Sequence, residues 1–308
     1  MPKAADMRVV STDTLPLIGS GGTCDVFSLD DGLALKAFHA SMPEENVRAE
    51  YTRSCAAWRA GIPMAQPHEL VRVSGEAHSL GIIFERLEGS TVAEEVEAGV
   101  LDPIDAARRL GEMLRGLHEV EVDPHELADQ RAAFAGYSRM LSNPGVDLLR
   151  DDEAEGLARL FEALPDRTTF LHGDFHMNNV MHVAGGEDRL ALIDLAGAGH
   201  GHPLLDWAGT FQACRLIPDY VDPTACKRFI GLGADKARSM LVPMMQSYYR
   251  TTDEATLSRQ YRLMEALGYA KYACMLVREP NPWMDRQLVV RQLREHVISR
   301  LGELEALL

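Results

Sequence analysis

Between residues 170 and 194 the chain reads Phe170-Leu171-His172-Gly173-Asp174-Phe175-His176-Met177-Asn178-Asn179-Val180, then Gly185-Gly186-Glu187-Asp188, then Leu190-Ala191-Leu192-Ile193-Asp194. Two apolar strand patterns flank a glycine-rich turn, so the segment predicts a β-hairpin. A polar loop precedes the first strand, and the second strand ends in an aspartate. Asp174, Asn179 and Asp194 therefore fall at strand and loop ends, where they can converge. Their oxygens are hard ligands suited to Mg²⁺, a cation that keeps waters for exchange with phosphate. An aspartate beside a metal–phosphate site can also accept a hydroxyl proton as that hydroxyl attacks. Asp and Asn commonly cap turns, and each one alone would be read that way. The set, with its flanking strands and the loop histidine His172, points to phosphoryl chemistry.

The character of the chain changes along its length. Residues from about 8 to 87 read as strands with one helix. Cys24–Phe38 holds two strand patterns around Asp30-Asp31-Gly32, a hairpin signal because glycine accepts positive φ. Pro43 precedes a helical pattern that ends at Gly61. Strand patterns follow around Leu70–Val73 and Leu80–Glu85, and Glu88-Gly89 reads as a hinge. From about residue 90 onward the chain is mostly helical, with a strand-rich island near 169–194. Thr91–Glu94 fits a capping box, and Asp102-Pro103 places an N-cap before a proline at the first helical position. Further helices are expected over 151–164, 203–217, 234–250, 253–277 and 284–308. In the last, Leu288, Val289, Leu293, Val297, Leu301 and Leu304 form an apolar stripe that reads as core.

Composition sets the outer bounds. The chain has 308 residues, 46% hydrophobic and 25% charged, which is ordinary for a globular protein of two domains or one lobed domain. Its formal charge of −15 argues against nucleic acid as a partner. It suits a cationic small molecule, or simply an acidic soluble protein. Five cysteines without a Cys-x-x-Cys pattern argue against a disulfide framework or a structural zinc site. No stretch approaches the roughly 18 apolar residues of a membrane span, and no signal-peptide core is present. A cytoplasmic protein with no membrane partner, a monomer or simple homodimer, is expected.

The segment HGDFHMNN resembles the catalytic loop of the aminoglycoside phosphotransferase and choline kinase family, relatives of the protein kinases. His172, Asp174 and Asn179 match its His-x-Asp and the Asn five residues on. Ile193-Asp194 matches its second metal-binding aspartate. His202-Pro203-Leu204-Leu205-Asp206-Trp207 is similar to its Gly-Asp-Pro-x-x-Asp-x-Ala segment, which makes Asp206 a structural aspartate bracing the catalytic loop. Leu17–Phe27 is similar to the glycine-rich phosphate loop, with Gly19, Gly21 and Gly22 present and Cys24 at the position of the kinase pattern's last glycine. Lys36, amid Ala34-Leu35-Lys36-Ala37-Phe38, matches the strand lysine that contacts the α- and β-phosphates, with Glu50 as its helix partner. Gly81–Gly89 resembles the strand and hinge that hold the nucleotide base through backbone groups, around Glu85 and Leu87. The resemblance covers roughly residues 15–215.

The resemblance implies a two-lobed, protein-kinase-like α+β fold. A small N-terminal sheet lobe, 1–87, would bind nucleotide, and a larger, mainly helical lobe, 88–308, would carry catalysis and the substrate. ATP, with GTP as the alternative nucleotide, and Mg²⁺ would lie in the cleft between. Asp174 is the implied catalytic residue, with His172 bracing its loop, and Asn179 and Asp194 are the implied Mg²⁺ ligands. The reaction implied is transfer of the γ-phosphate to a hydroxyl of a small molecule, and the charge mildly favours a cationic acceptor. The departures at His176-Met177-Asn178, Leu195-Ala196-Gly197 and His202 remove no catalytic oxygen, but they leave the acceptor open among aminoglycosides, sugars and amino alcohols. Glu279 and Asp285 are further candidate carboxylates for that acceptor, although solvated loop charges are the plainer reading. A catalytically silent nucleotide-binding regulator, and nucleotidyl transfer to protein, stay open as alternatives. A protein kinase is disfavoured, since no Ala-Pro-Glu segment follows Asp194.

Overall fold

A computed structural model describes residues 7–29, 32–185, 189–278 and 284–308. The predicted turn residues Asp30, Asp31, Gly186, Glu187 and Asp188, and the loop residue Glu279, lie outside the described residues. Packing divides the chain into two compact units. The first runs to Ser90 and adds Met181–Ala198, and the second comprises Thr91–Val180 and Gly199–Leu308.

The first unit is built on six strands: β1 (Val9–Val10), β2 (Leu17–Ser20), β3 (Cys24–Ser28), β4 (Leu33–His39), β5 (Pro67–Val73) and β6 (His78–Glu85). Their order is β1-β5-β6-β4-β3-β2, with β1 parallel to β5 and the remaining neighbours antiparallel. Side chains alternate across the sheet. On one face Phe38, Leu70, Leu80 and Ile82 pack with Val47 of helix α1 (Glu44–Arg59). On the other, Phe27, Leu35, Ala37, Val71, Val73 and Ile83 form a second cluster. Helix α1 starts after Pro43, carries Glu44 and Glu45 in its positive first turn, and ends at Ala60 before the left-handed Gly61.

A second, three-stranded sheet runs β10-β9-β7, from β7 (Gly89–Thr91), β9 (Val180–Val183) and β10 (Arg189–Leu192). The sequence places this hairpin with the helices, on the far side of a boundary at residues 87 and 88. Instead residues 181–198 pack with the first unit. The Leu192 amide donates to the Pro63 carbonyl at 2.8 Å and the Ala184 amide to the Glu88 carbonyl at 2.7 Å. These backbone bonds are long-range in sequence, so no local pattern announces them.

The second unit is mainly helical. Helix α2 (Val92–Ala98) opens with the Thr91–Glu94 capping box, and α3 (Pro103–Leu117) with the Asp102 cap. They are followed by α4 (Gln130–Met140), α5 (Asp151–Glu162), α6 (Leu204–Phe211), α7 (Ile217–Tyr220), α8 (Pro223–Ile230), α9 (Ala234–Tyr249), α10 (Glu254–Arg278), α11 (Arg286–His296) and α12 (Leu301–Glu305). A π-helical turn, Gln212–Leu216, joins α6 to α7. Strands β8 (Phe170–Leu171) and β11 (Gly199–His200) pair antiparallel. Helices α4 and α8 go beyond the sequence reading, and the single helix expected over 284–308 is broken. Val297, fully buried, leaves helical geometry at φ −124° and ψ −64°, so the stripe continues as core on separate segments. Asp285 caps α11 by accepting from the Leu288 amide. The fold class is thus α+β, a mixed-sheet unit and a mainly helical unit. Among the described residues no helix is long and apolar enough to cross a membrane.

Candidate active site

In the first unit, Lys36 lies on β4 between the buried Leu35 and Ala37. Its Nζ is 2.6 Å from Glu50 Oε1 on α1 and 3.0 Å from Asp194 Oδ1. Desolvation by itself would lower the lysine's pKa, but the two carboxylates outweigh it and hold the ammonium well above its usual range. Lys36 is therefore a permanent cation. Glu50 is only 3% exposed, whereas the Asp194 side chain keeps 46% of its exposure. Asp194 follows β10 in a left-handed conformation, φ +63°, which is uncommon outside glycine though tolerated by aspartate. Arg53 of α1 donates to the Ala196 carbonyl at 2.7 Å, so the same helix that presents Glu50 also holds the segment after Asp194.

The glycine-rich segment is the β2–β3 hairpin, closed by the Gly21 amide on the Cys24 carbonyl at 2.8 Å. Gly21 and Gly22 are exposed, and a Cβ at Gly22 would meet nothing within 4 Å. Nothing inside the chain demands glycine there. Cys24 is buried, and burial pushes its thiol pKa up. Glu85 ends β6, and its amide donates to the Gln66 carbonyl at 2.8 Å, while Leu87 follows beyond the strand and is half-buried.

In the second unit, the loop after β8 is organised by Asp206 of α6. Its carboxylate is fully buried and accepts the His172 amide at 2.8 Å and the Gly173 amide at 2.6 Å. His118 reaches the same carboxylate with Nε2 at 3.2 Å, and its Nδ1 is 2.8 Å from the Tyr248 hydroxyl. Burial alone would raise the Asp206 pKa; the contacts with His118 and the charges of His172 and Lys271 bring it below the ordinary value. His172 is fully buried and accepts the Asp174 amide on Nδ1 at 3.3 Å. Lys271 of α10, 6% exposed, donates to the Gly173 carbonyl at 2.5 Å and to the Leu205 carbonyl at 3.3 Å. A Cβ at Gly209 of α6 would lie 3.2 Å from Lys271 Nζ and 3.8 Å from the Asp174 Cα, so glycine lets the loop settle on the helix.

The same loop brings Asp174 and Asn179 together. The Asn179 side-chain amide donates to the Asp174 carbonyl at 2.9 Å and to Asp174 Oδ2 at 3.3 Å. Those bonds use the amide nitrogen and orient Asn179 Oδ1, a hard oxygen donor, away from Asp174. Desolvation by the surrounding protein would raise the Asp174 pKa. The side chain is 59% exposed, however, and His176, Lys271 and His172 hold the carboxyl well below its usual range. Asp174 is an exposed, fully ionised carboxylate on a loop whose backbone is fixed from below.

Residues 14–238 match the sequence profile of APH, the phosphotransferase enzyme family. The chain belongs to that family. Its members include small-molecule kinases, and this phosphotransferase is one. Comparison with curated protein sequences finds no match. Among solved structures, it is similar to a choline/ethanolamine kinase family protein from Mesorhizobium loti, with a TM-score of 0.53 and 19% identity over 96% of this chain and 88% of that one. A GDP complex of an aminoglycoside 2'-phosphotransferase-IIIa gives a TM-score of 0.57 at 13% identity, covering 95% and 94%. The gentamicin complex of APH(2'')-IIa gives 0.56 at 15% identity, covering 92% and 91%. At these identities the likeness is one of fold.

Several residues around the phosphotransferase's loop go beyond the sequence reading: Lys271, His118, Tyr248, Arg53 and Thr210, whose hydroxyl donates to the Phe175 carbonyl at 2.8 Å. Lys271 carried one signal, a lone cation within the apolar run Ala266–Leu276. His202 accepts the Leu204 amide on Nδ1 at 3.3 Å, a turn-capping contact at the start of α6.

Proposed function

We propose that this phosphotransferase moves the γ-phosphate of ATP to a hydroxyl of a small, cationic molecule. The observation that carries the proposal is the Asp174–Asn179 pair: an exposed anionic carboxylate beside a side-chain amide whose nitrogen is already used. Asp174 accepts the hydroxyl of the acceptor and orients its oxygen toward the phosphorus. Its lowered pKa makes it a weak base, so the hydroxyl proton passes to it only as the new oxygen–phosphorus bond forms and the alcohol acidifies. His172, Asp206 and Lys271 position this carboxylate through the backbone of residues 172–174.

The first unit supplies the nucleotide's contacts. Lys36, kept cationic and held by Glu50, pairs with the α- and β-phosphates. The hairpin at Gly19, Gly21 and Gly22 brings no side chain that would obstruct phosphate oxygens, although the Gly21 amide is already committed to the Cys24 carbonyl. Backbone groups around Glu85 and Leu87 hold the base; the Glu85 amide is already committed to Gln66, which leaves the carbonyls and the residues just after it. Asn179 Oδ1 in the second unit and the half-exposed Asp194 carboxylate in the first are each an oxygen donor of the kind that Mg²⁺ takes. Mg²⁺ held by such oxygens would neutralise charge on the phosphate oxygens. The gentamicin and GDP complexes of the similar structures, with the charge of −15, support an aminoglycoside-like acceptor and a purine nucleotide.

Mass spectrometry of ATP incubated with the protein and a panel of aminoglycosides, amino alcohols and sugars tests the reading. ADP and an acceptor heavier by one phosphoryl group are expected. Release of pyrophosphate with a nucleotidylated product would replace phosphoryl transfer by nucleotidyl transfer. Intact ATP across the panel, together with tight Mg·ATP binding, would favour a silent regulator.

A further inference from the structure

On the sheet of the first unit, away from Lys36, three potential metal ligands converge. Asp25 on β3, His39 at the end of β4 and His78 at the start of β6 place one ligand atom each within 4.8 Å of one another. Among the described residues no other group of three His, Cys, Asp or Glu side chains does so. Their placement follows from the strand register. Asp25 is opposite Ala37, His39 lies two residues further on the same strand, and His39 is opposite His78. The three therefore sit on neighbouring strands β3, β4 and β6, on the face that carries Phe27, Leu35 and Ala37, whereas Lys36 points to the other face.

We propose that Asp25, His39 and His78 form a binding site for a first-row divalent cation of zinc type. Asp25 Oδ2 is shared by both imidazoles, 2.9 Å from His78 Nε2 and 3.4 Å from His39 Nε2. In a tetrahedral site with bonds near 2.0–2.1 Å, ligand atoms lie about 3.3–3.4 Å apart. The two oxygen–nitrogen spacings, 2.9 and 3.4 Å, lie within about half an ångström of that value, and the two imidazole nitrogens lie within 4.8 Å of each other. The second carboxylate oxygen is engaged: Ser20 donates to Asp25 Oδ1 at 2.7 Å, which aims Oδ2 at the histidines as an outer-shell partner does. Two imidazoles and one carboxylate suit zinc and its neighbours and disfavour Mg²⁺, which demands oxygens. With exposures of 22, 32 and 8% for Asp25, His39 and His78, the fourth position is open to water or a ligand. The His39 amide donates to the Thr23 carbonyl at 3.0 Å, so a cation here ties the root of the glycine-rich hairpin to the end of β4.

Chelator-treated full-length protein titrated with Zn²⁺ against a chromophoric zinc indicator tests the site. One equivalent is expected to bind, with Mg²⁺ unable to compete, and to raise the melting temperature. His78→Gln and Asp25→Asn should each weaken this equivalent by about 10²-fold or more, and Ser20→Ala by about tenfold. Asp194→Ala, in the other constellation, should leave it unchanged. Cobalt loaded in place of zinc should give tetrahedral d–d absorption without a thiolate charge-transfer band. This readout uses the unaltered chain and stands even if a variant misfolds. Absence of a saturable equivalent, a thiolate band, or zinc binding lost in Asp194→Ala but kept in His78→Gln would overturn the proposal.

Discussion

Lys36 and Asp174 occupy two differently built surroundings. Around Lys36 the order comes from side chain against side chain: one ammonium between two carboxylates, with bonds of 2.6 and 3.0 Å. Around Asp174 it comes from side chain against backbone: Asp206 takes the amides of His172 and Gly173, and Lys271 takes the carbonyl of Gly173. The first arrangement sets one cation against two anions, so Lys36 keeps a carboxylate partner when the other is removed. The second fixes a backbone and presents an exposed carboxylate, with Asp174 Oδ2 3.5 Å from His176 Nε2. A group that must trade partners is held by charge, and a group that must stay in place is held through the peptide groups beneath it.

Substitutions should separate the two. Asp206→Ala should have the largest effect. It leaves the buried His172 amide and the half-buried Gly173 amide unpaired, the first at about 1–3 kcal/mol and the second at less, so stability should fall by roughly 1–4 kcal/mol in denaturant titration, with activity lost alongside. An unchanged unfolding midpoint would break the backbone-brace half of the comparison. Asp194→Ala should leave the midpoint nearly unchanged and weaken Mg·ATP by about 10²-fold or more in calorimetry, at or beyond the upper end of what the loss of an outer-shell partner brings. Equal affinity would remove Asp194 from the nucleotide's surroundings.

Lys271→Met should be milder. The Gly173 and Leu205 carbonyls lose a charged donor and the loop shifts, so kcat should fall roughly tenfold to 10²-fold with nucleotide affinity retained. A drop in nucleotide affinity instead would contradict a role confined to the loop. The smallest effect concerns acid. Burial, with the charges of Arg167 and His118, lowers the His202 pKa to about 4. Above about pH 6.5 His202 is neutral in both folded and unfolded chains and contributes no pH dependence. Below that the unfolded chain binds the proton first, so stability declines until the pH reaches about 4, where the folded chain binds it too. Melting curves of His202→Gln should show a shallower decline across that window; a parallel curve would mean that His202 is solvated.

What the sequence disclosed follows the same division. Lys36 and Glu50 are legible through the family resemblance, which pairs a strand lysine with an acidic residue on the helix that follows. Asp206 is legible because it sits in a short motif, His202–Trp207, close behind the loop that it braces. Lys271 and Arg53 are not, since each reaches a carbonyl far along the chain, and a backbone carbonyl has no residue type to search for. Helix α4 escapes notice because its short run, Gln130–Met140, contains Gly136 and repeats its apolar stripe barely twice. The break at Val297 is invisible for the opposite reason: the stripe runs through it, and tertiary packing decides the geometry.

The central claim is that chemistry depends on Asp174 while nucleotide binding depends on Lys36. Asp174→Asn is almost isosteric, and turnover with Mg·ATP Kd on the same preparation tests the claim most directly. The account predicts a turnover reduced by about 10²-fold or more, the scale of a lost base, with Kd changed by less than about threefold. Lys36→Ala should show the reverse emphasis, with Kd raised. Near-parental turnover in Asp174→Asn, or a Kd that collapses with the turnover, would contradict it.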